Sequence, residues 1–327
     1  WSGSSLNTVF AQRSNLLNPR FLRMLRDVTR FNHLATDIAK RGAEAEMMQP
    51  LAGFLDDNRL SAEFRDWYFL PMLGCIWSCP TDQMLQFPVA TMIRFCHNHG
   101  LLQITDRPQW WTVAGGARNY VDKITASIAD KRLNTPVTQV TRNAQGVTVH
   151  THGQSEAFDK VILATHSDQS LAMLGDASRA ELETLGAIRY QANRAVLHTD
   201  TSVLPRHRRA WAAWNYQRSA NERQDAAQVC LHYLINMLQP VPFTQPVVVS
   251  LNPVVEIAPS KIHASFDYAH PVFDVAAIRA QRQVDSLQGQ NNTYFCGAWT
   301  GYGFHEDGLK SGLGVAALLK AELRTPR

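Results

Sequence analysis

The stretch that most limits what this chain can become runs from Thr293 to Leu323. Thr293-Tyr294-Phe295-Cys296-Gly297 reads as a short strand of the buried type, and Asp307 to Leu323 reads as a helix. Ala298-Trp299-Thr300-Gly301-Tyr302-Gly303-Phe304-His305-Glu306 joins them. The helix carries Gly308, Gly312 and Gly314, each costing about 1 kcal/mol relative to alanine in a helix interior. Such residues need a compensating use, either close packing on another backbone or close approach of a ligand to the helix start.

The rest of the chain alternates in character. Asn18-Pro19 followed by Phe21, Leu22, Leu25, Val28 and Leu34 predicts a helix with Asn18 as N-cap and proline at its first position. A second helix is expected near Ser61 to Leu70, and a third between Pro88 and Gly100, with His97 and His99 at its end. Gly115-Gly116 leads into a helix through Tyr120, Val121 and Ile124. Strands are then expected at Pro136-Val137, Val147 to Val149 and Lys160 to Thr165, with turns at Asn143 to Gly146 and at His152-Gly153. Ser178-Arg179-Ala180-Glu181 is a capping box opening a helix toward Leu185. Arg194 to His198, Val229 to Ile235, Val247 to Leu251 and Ile262 to Tyr268 predict an antiparallel sheet, followed by a helix from Val275 to Leu287.

Composition excludes several classes. The 327 residues are 45% hydrophobic and 18% charged, the balance of a globular protein, and a net charge of +4 is too mild to argue for nucleic acid. No apolar run approaches the roughly 18 to 20 residues that cross a bilayer, and Trp1-Ser2-Gly3-Ser4-Ser5 has no signal-peptide character. Cys75, Cys79, Cys96, Cys230 and Cys296 form neither a Cys-x-x-Cys pair nor an even framework, so reduced thiols and a cytoplasmic location are expected.

The closing stretch, Tyr294 to Trp299, Gly303 to Gly308 and Ser311-Gly312, resembles the C-terminal flavin segment of the flavin amine-oxidase superfamily, which includes amine oxidases, protoporphyrinogen oxidase and carotenoid desaturases. The whole chain resembles bacterial flavoproteins described as predicted amine oxidases. Thr135-Pro136-Val137 resembles the strand whose backbone meets the adenine, Val161 to Thr165 the strand that returns to the nucleotide, and Gly115-Gly116 the paired glycines before a helix.

The resemblance implies an α/β fold in which an FAD-binding Rossmann-like domain, incomplete here, is interleaved with a substrate domain of helices and a mixed or antiparallel sheet. Residues 1–130 would be the mainly helical part of the substrate domain and 131–166 the FAD-domain strands. Residues 167–290 would be the substrate sheet and helices, and 291–327 the C-terminal FAD strand and helix. The implied cofactor contacts are Val137, Ala164, Thr165, Gly297, Ala298, Trp299, Gly303, Phe304, His305, Glu306, Asp307 and Gly308. Phe304 would stand beside the isoalloxazine face, and the helix start, carrying about half a positive charge, would meet the electron-rich edge of reduced flavin.

Three departures from the family pattern matter. Ala298 stands where an acidic residue commonly binds the ribityl chain, and no lysine occurs between Thr165 and Arg189, where many amine oxidases carry one. There is no Gly-x-Gly-x-x-Gly near the N-terminus to hold the pyrophosphate, so that strand-loop-helix is expected upstream of Trp1 as part of the same protein.

Other residues have weaker claims. His97, His99, Arg118, His270 and Tyr302 are candidates for substrate contact, weighed against helix-end histidines and surface ion pairs. A lone His-x-His lacks the further ligands of a metal site, so no metal is expected and a metal hydrolase built on His97 and His99 is the weakest reading. Arg20, Arg23, Arg26 and Arg30 read as a solvated basic face, the sharper reading being peripheral membrane contact for a lipid-like substrate. Trp110-Trp111 and Trp67-Tyr68 read as core. The expected activity is hydride transfer to FAD from an amine or an apolar small molecule, fatty-acyl or lipid-like in kind. The alternative is a non-catalytic binding protein that keeps the fold.

Overall fold

The computed structural model describes residues 1–42, 48–103, 108–218 and 229–324. Along the chain, helices α1 (Pro19–Arg41), α2 (Val89–Asn98) and α3 (Arg118–Ala126) precede strands β1 (Val137–Asn143), β2 (Gly146–Thr151), β3 (Gln154–Phe158) and β4 (Val161–Leu163). Helices α4 (Ser167–Met173) and α5 (Arg179–Leu185) follow, then strands β5 (Tyr190–His198), β6 (Trp214–Gln217), β7 (Cys230–Leu234), β8 (Val248–Leu251) and β9 (Ile262–Pro271). Helices α6 (Val275–Gln281) and α7 (Val284–Leu287), strand β10 (Thr293–Phe295) and helix α8 (His305–Arg324) complete the order. The chain divides into two compact units, Trp1–Ser127 with Ala192–His270, and Ile128–Gln191 with Pro271–Arg327.

In the first unit, the Asn18 side chain accepts from the N–H groups of Arg20 and Phe21 to start α1, and Gly42 ends it at φ 63°. The buried face of α1 is set by Phe21, Met24, Phe31, Ala35 and Ile38, while Leu22 is exposed. Phe31 packs on Phe64 and Phe69, with ring centroids 5.3 and 4.9 Å away. These two rings lie in a helical run from Ala62 to Trp77 that is interrupted by a π turn, Arg65–Phe69. Arg20 and Arg23 face Glu63 and Arg30 faces Asp27, so this part of the basic face is paired. The sheet runs β6-β7-β8-β5-β9, antiparallel from β6 to β5. The assignment of Trp110 and Trp111 to the core is corrected: they are 59% and 88% exposed, Trp110 lying against the half-buried His99 ring rather than within the core.

In the second unit, β1, β2 and β3 form an antiparallel meander, while β4 and β10 pair in parallel, Val161 opposite Thr293 and Leu163 opposite Phe295. Strand β10 is covered on both faces, as a buried parallel strand requires, whereas Ile162 of β4 is exposed. Leu163, Phe295 and Trp299 share a cluster with Leu185, Ala277, Ala280, Val284 and Leu287. On the other face Tyr294 and Cys296 pack on Val315 of α8, with Leu319 beside them. Arg142 of β1 makes a two-pronged ion pair with Glu181, at 2.5 and 2.9 Å. Glu181 also receives the Ser178 N–H at 2.7 Å, so the capping box doubles as a buried anchor.

Candidate cofactor site

The site is built at the C-terminal ends of β4 and β10, the end at which parallel α/β sheets bind ligands. Beyond β10, Gly297 turns with φ 153°, and its N–H donates to Ser311 Oγ at 2.9 Å. A Cβ at Gly297 would fall 2.6 Å from Trp299 Nε1. That nitrogen is committed: it donates to the Thr165 carbonyl at 3.0 Å, tying the segment after β10 to the segment after β4. Trp299 is 3% exposed, so its part is to join strands. The Gln281 carboxamide closes the turn from below, donating to the carbonyls of Trp299 and Gly301 at 2.8 and 2.7 Å.

The glycine loop is held as firmly. The Ala298 carbonyl accepts from both Gly301 and Gly303 N–H groups at 3.1 Å. Gly303 has φ 92°, a region open mainly to glycine, and a Cβ there would press on the Phe273 ring at 3.2 Å. Asp307 Oδ2 accepts from the Tyr302 and Phe304 N–H groups at 3.1 and 3.0 Å. Helix α8 then begins at His305, two residues earlier than its sequence pattern indicates. Its first-turn N–H groups have no partner within the helix, and the positive end of the helix dipole is concentrated there. Glu306 and Asp307 bring negative charge into the same turn.

Ala164 and Thr165, together with Gly297 to Trp299 and Gly303 to Gly308, thus lie on connected segments at one end of the parallel pair. Ala164 and Thr165 are exposed, as are Gly303, His305 and Glu306; Phe304, Asp307 and Gly308 are half-buried. Val137 starts β1, half-buried against the cluster that contains Trp299. Tyr302 sits in the glycine loop. The other proposed substrate residues belong to the first unit. His97 is exposed at the end of α2, and His99 stacks on Phe95 with its Nδ1 2.9 Å from the Phe95 carbonyl. Arg118 is exposed at the start of α3. His270 lies on β9 with Nδ1 2.9 Å from Asn193 Nδ2. Among the described residues no group of three His, Cys, Asp or Glu is placed to hold a metal, and no helix is long and apolar enough to cross a membrane.

Sequence reasoning left Ser311, Gln281 and Tyr190 out of the site. Ser311 follows Gly308 by three residues on α8, a spacing that puts both on one helix face. Tyr190 takes the Ser167 N–H on its hydroxyl at 2.9 Å and stacks on His166 at 4.4 Å, holding the segment after Thr165. Nothing local in the sequence marks Gln281 or Tyr190.

The profile described as flavin containing amine oxidoreductase matches residues 90–320, which is 231 of the 327 residues. The chain belongs to the flavin-containing amine oxidoreductases. FAD is the cofactor of this family. No curated protein sequence matches the chain significantly. Among solved structures, this amine oxidoreductase chain is similar in fold to the CLA-producing fatty acid isomerase from P. acnes, with TM-score 0.62 and 15% identity, over 92% of this chain and 75% of that one. Cyclohexylamine oxidase from Brevibacterium oxydans IH-35A gives TM-score 0.60 and 13% identity, over 94% and 76%. A putrescine oxidase gives 0.60 and 15%, over 93% and 76%.

Proposed function

We propose that this protein is an FAD-dependent oxidoreductase whose flavin ring is received by the loop from Gly297 to Gly308 and the first turn of α8. The observation that carries this reading is the convergence of the β4 and β10 ends, tied through Trp299 and Thr165, on a glycine loop that leads straight into a helix N-terminus. Those residues fit a flavin edge. The loop is shaped by glycine at Gly297 and Gly303, where a side chain has no room, and the helix start offers N–H donors with a favourable dipole to an electron-rich ring. FAD, when bound, supplies the redox chemistry, taking up a hydride equivalent from a carbon next to nitrogen or from an apolar substrate. The chain's own groups position the ring, with Phe304 as the aromatic wall and His305 or the following backbone at its edge.

A pyrophosphate cradle is the part these residues do not provide, since Gly-x-Gly-x-x-Gly occurs nowhere in the sequence. We propose that a further strand and helix bring it, pairing with β4, whose outer edge has no strand partner among the described residues and where Ile162 is 47% exposed. Val137 and Ala164-Thr165 are assigned to the nucleotide half. Tyr302, His97, His99, Arg118 and His270 are assigned to substrate contact. A fatty-acyl or other lipid-like substrate is favoured by the fold shared with a fatty acid isomerase, and an amine by the family.

The departures at Ala298 and in the lysine-free stretch after Thr165 keep a second reading in view, a non-catalytic binding protein that retains the fold without a complete FAD site. One experiment separates them. The full-length protein purified with added FAD is expected to be yellow and to lose its visible bands on reduction with dithionite. A folded, colourless protein that takes up no FAD overturns the oxidoreductase reading.

A further inference from the structure

We infer that Asp307 is a positioning residue for the flavin: it shapes the glycine loop and places a fixed negative charge in the helix turn that receives the ring. The inference rests on the flavin reading above, and the geometry behind it is local. Phe304 precedes the first residue of α8, so Asp307 stands at the third helical position, from which a carboxylate reaches back to the N–H of the residue before the helix. It does this at 3.0 Å, and the same oxygen also takes the Tyr302 N–H at 3.1 Å.

The other carboxylate oxygen accounts for Gly301. A Cβ there would fall 2.5 Å from Oδ1 and 2.6 Å from Cγ of Asp307, so position 301 admits a side chain only if the carboxylate moves. Asp307 is therefore the neighbour that a side chain at position 301 would meet first. One carboxylate therefore sets the course of the backbone from Gly301 to Phe304. Shape and charge pull in opposite directions for the cofactor. The loop that Asp307 builds receives the ring, while its charge offsets the positive end of the helix dipole that favours the electron-rich reduced flavin. Removing the charge while keeping the acceptor then stabilises reduced flavin over oxidised.

The test uses the full-length protein loaded with FAD, comparing Asp307→Asn, Asp307→Ala and Gly301→Ala for fold by circular dichroism, FAD retention and flavin midpoint potential. Asp307→Asn keeps an oxygen for the two N–H groups. It is expected to retain FAD and to raise the affinity for reduced relative to oxidised flavin about two- to fivefold, read as an upward shift in potential. Asp307→Ala removes both acceptors, and Gly301→Ala displaces the carboxylate without removing its charge. Each is expected to weaken FAD retention by about tenfold, a loss of two loop hydrogen bonds. Folded Asp307→Asn and Asp307→Ala proteins with wild-type retention and wild-type potential overturn the inference while leaving the flavin reading intact. If Asp307→Asn does not fold, normal FAD retention in folded Gly301→Ala overturns it instead. A wild-type protein that takes up no FAD removes the flavin reading itself.

Discussion

The side-chain amide of Gln288 lies along the backbone of Phe295, accepting its N–H at 2.9 Å and donating to its carbonyl at 2.8 Å. In a parallel pair alternate residues face the neighbouring strand. Cys296 N–H reaches the Leu163 carbonyl, so Phe295 turns its backbone groups the other way, where Gln288 takes them. One edge of the pair is thereby closed by a side chain. Gln288→Ala should leave the two groups of a residue that is 1% exposed without partners, at about 1 to 3 kcal/mol. Urea denaturation of the two proteins measures it, and an unchanged midpoint would show that Gln288 is not closing the edge.

The opposite edge belongs to β4, and among the described residues no strand pairs with it. Val161 and Leu163 are directed at β10, so the backbone groups of Ile162 point outward. The apolar side chains of Leu309 and Leu313 on α8 are likewise 56% and 61% exposed. Residues 1 to 327 alone are therefore expected to hold FAD weakly and to aggregate, through the unpaired edge and uncovered apolar surface. Supplying a separate fragment that carries a strand ending in Gly-x-Gly-x-x-Gly should raise solubility, melting temperature and FAD content together. A soluble, monomeric 327-residue protein with stoichiometric FAD would refute the need for that strand.

The first unit makes a prediction about acid. Asp200 N–H donates to His198 Nδ1 at 3.1 Å, which places the His198 proton on Nε2, facing Ser250 Oγ at 2.6 Å. Ser250 in turn donates to His232 Nδ1 at 2.7 Å, and His232 Nε2 donates to Gln217 at 2.7 Å. Both rings are buried and both must be neutral for this order to hold. Burial lowers the His198 pKa, with Lys261 and His263 adding to the effect and Asp200 opposing it. Burial, with the charge of His198, lowers His232 to about 4. Since the unfolded value is about 6.5, this stability is present above that pH and is lost as pH falls toward about 4. His232 alone contributes on the order of 3 kcal/mol to the loss. His232→Gln should flatten the dependence of the urea midpoint between pH 7.5 and 4.5, and equal slopes in the two proteins would count against the chain of bonds.

His270 is fixed by a similar argument. Asn252 accepts from the Arg194 N–H at 2.9 Å and donates to the Val229 carbonyl at 3.1 Å, so two backbone groups decide which way its amide points. Asn252 Nδ2 then donates to Asn193 Oδ1 at 2.7 Å, leaving Asn193 Nδ2 to donate to His270 Nδ1. The His270 proton is expected on Nε2, which makes that atom a donor. Nitrogen-15 NMR of the ring tests this, with Asn193→Ala expected to mix the tautomers. A wild-type ring protonated on Nδ1 would contradict the relay.

What could be read from the sequence was whatever has a local signal. The Asn18 cap, the Ser178 capping box and the β10 strand with its glycine helix each rest on neighbours within a few residues. Strand β3 escaped because all five of its residues are exposed and show no alternation, and β6 escaped with it. Gln281 and Tyr190 act on backbone groups 18 to 23 residues away, a relation that only the folded chain creates. The buried tryptophan of the site was legible through its loop, whereas Trp110 and Trp111 were misread because aromatic content alone does not say what lies against it.

The three helix glycines separate the two uses that the sequence allowed them. A Cβ at Gly308 would meet the Ala298 nitrogen at 3.7 Å, ordinary contact, and at Gly312 or Gly314 it would meet nothing within 4 Å. Close packing on described backbone therefore does not explain Gly312 or Gly314. If a ligand or a further strand approaches them, alanine should be harmful only when that partner is present. Gly312→Ala is then expected to raise the stability of the 327-residue chain by about 0.5 to 1 kcal/mol, the ordinary gain of alanine over glycine in a helix. In the full-length protein the same change should lower FAD retention or cancel the gain. Gly303→Ala is the contrast, costing about 1 to 3 kcal/mol in either form because its φ of 92° and the Phe273 ring leave no room for a methyl. Thermal melts of both proteins, with and without FAD, decide the matter. An equal gain from Gly312→Ala in every condition would mean that nothing approaches this face of α8, and that its glycines carry no part of the cofactor site.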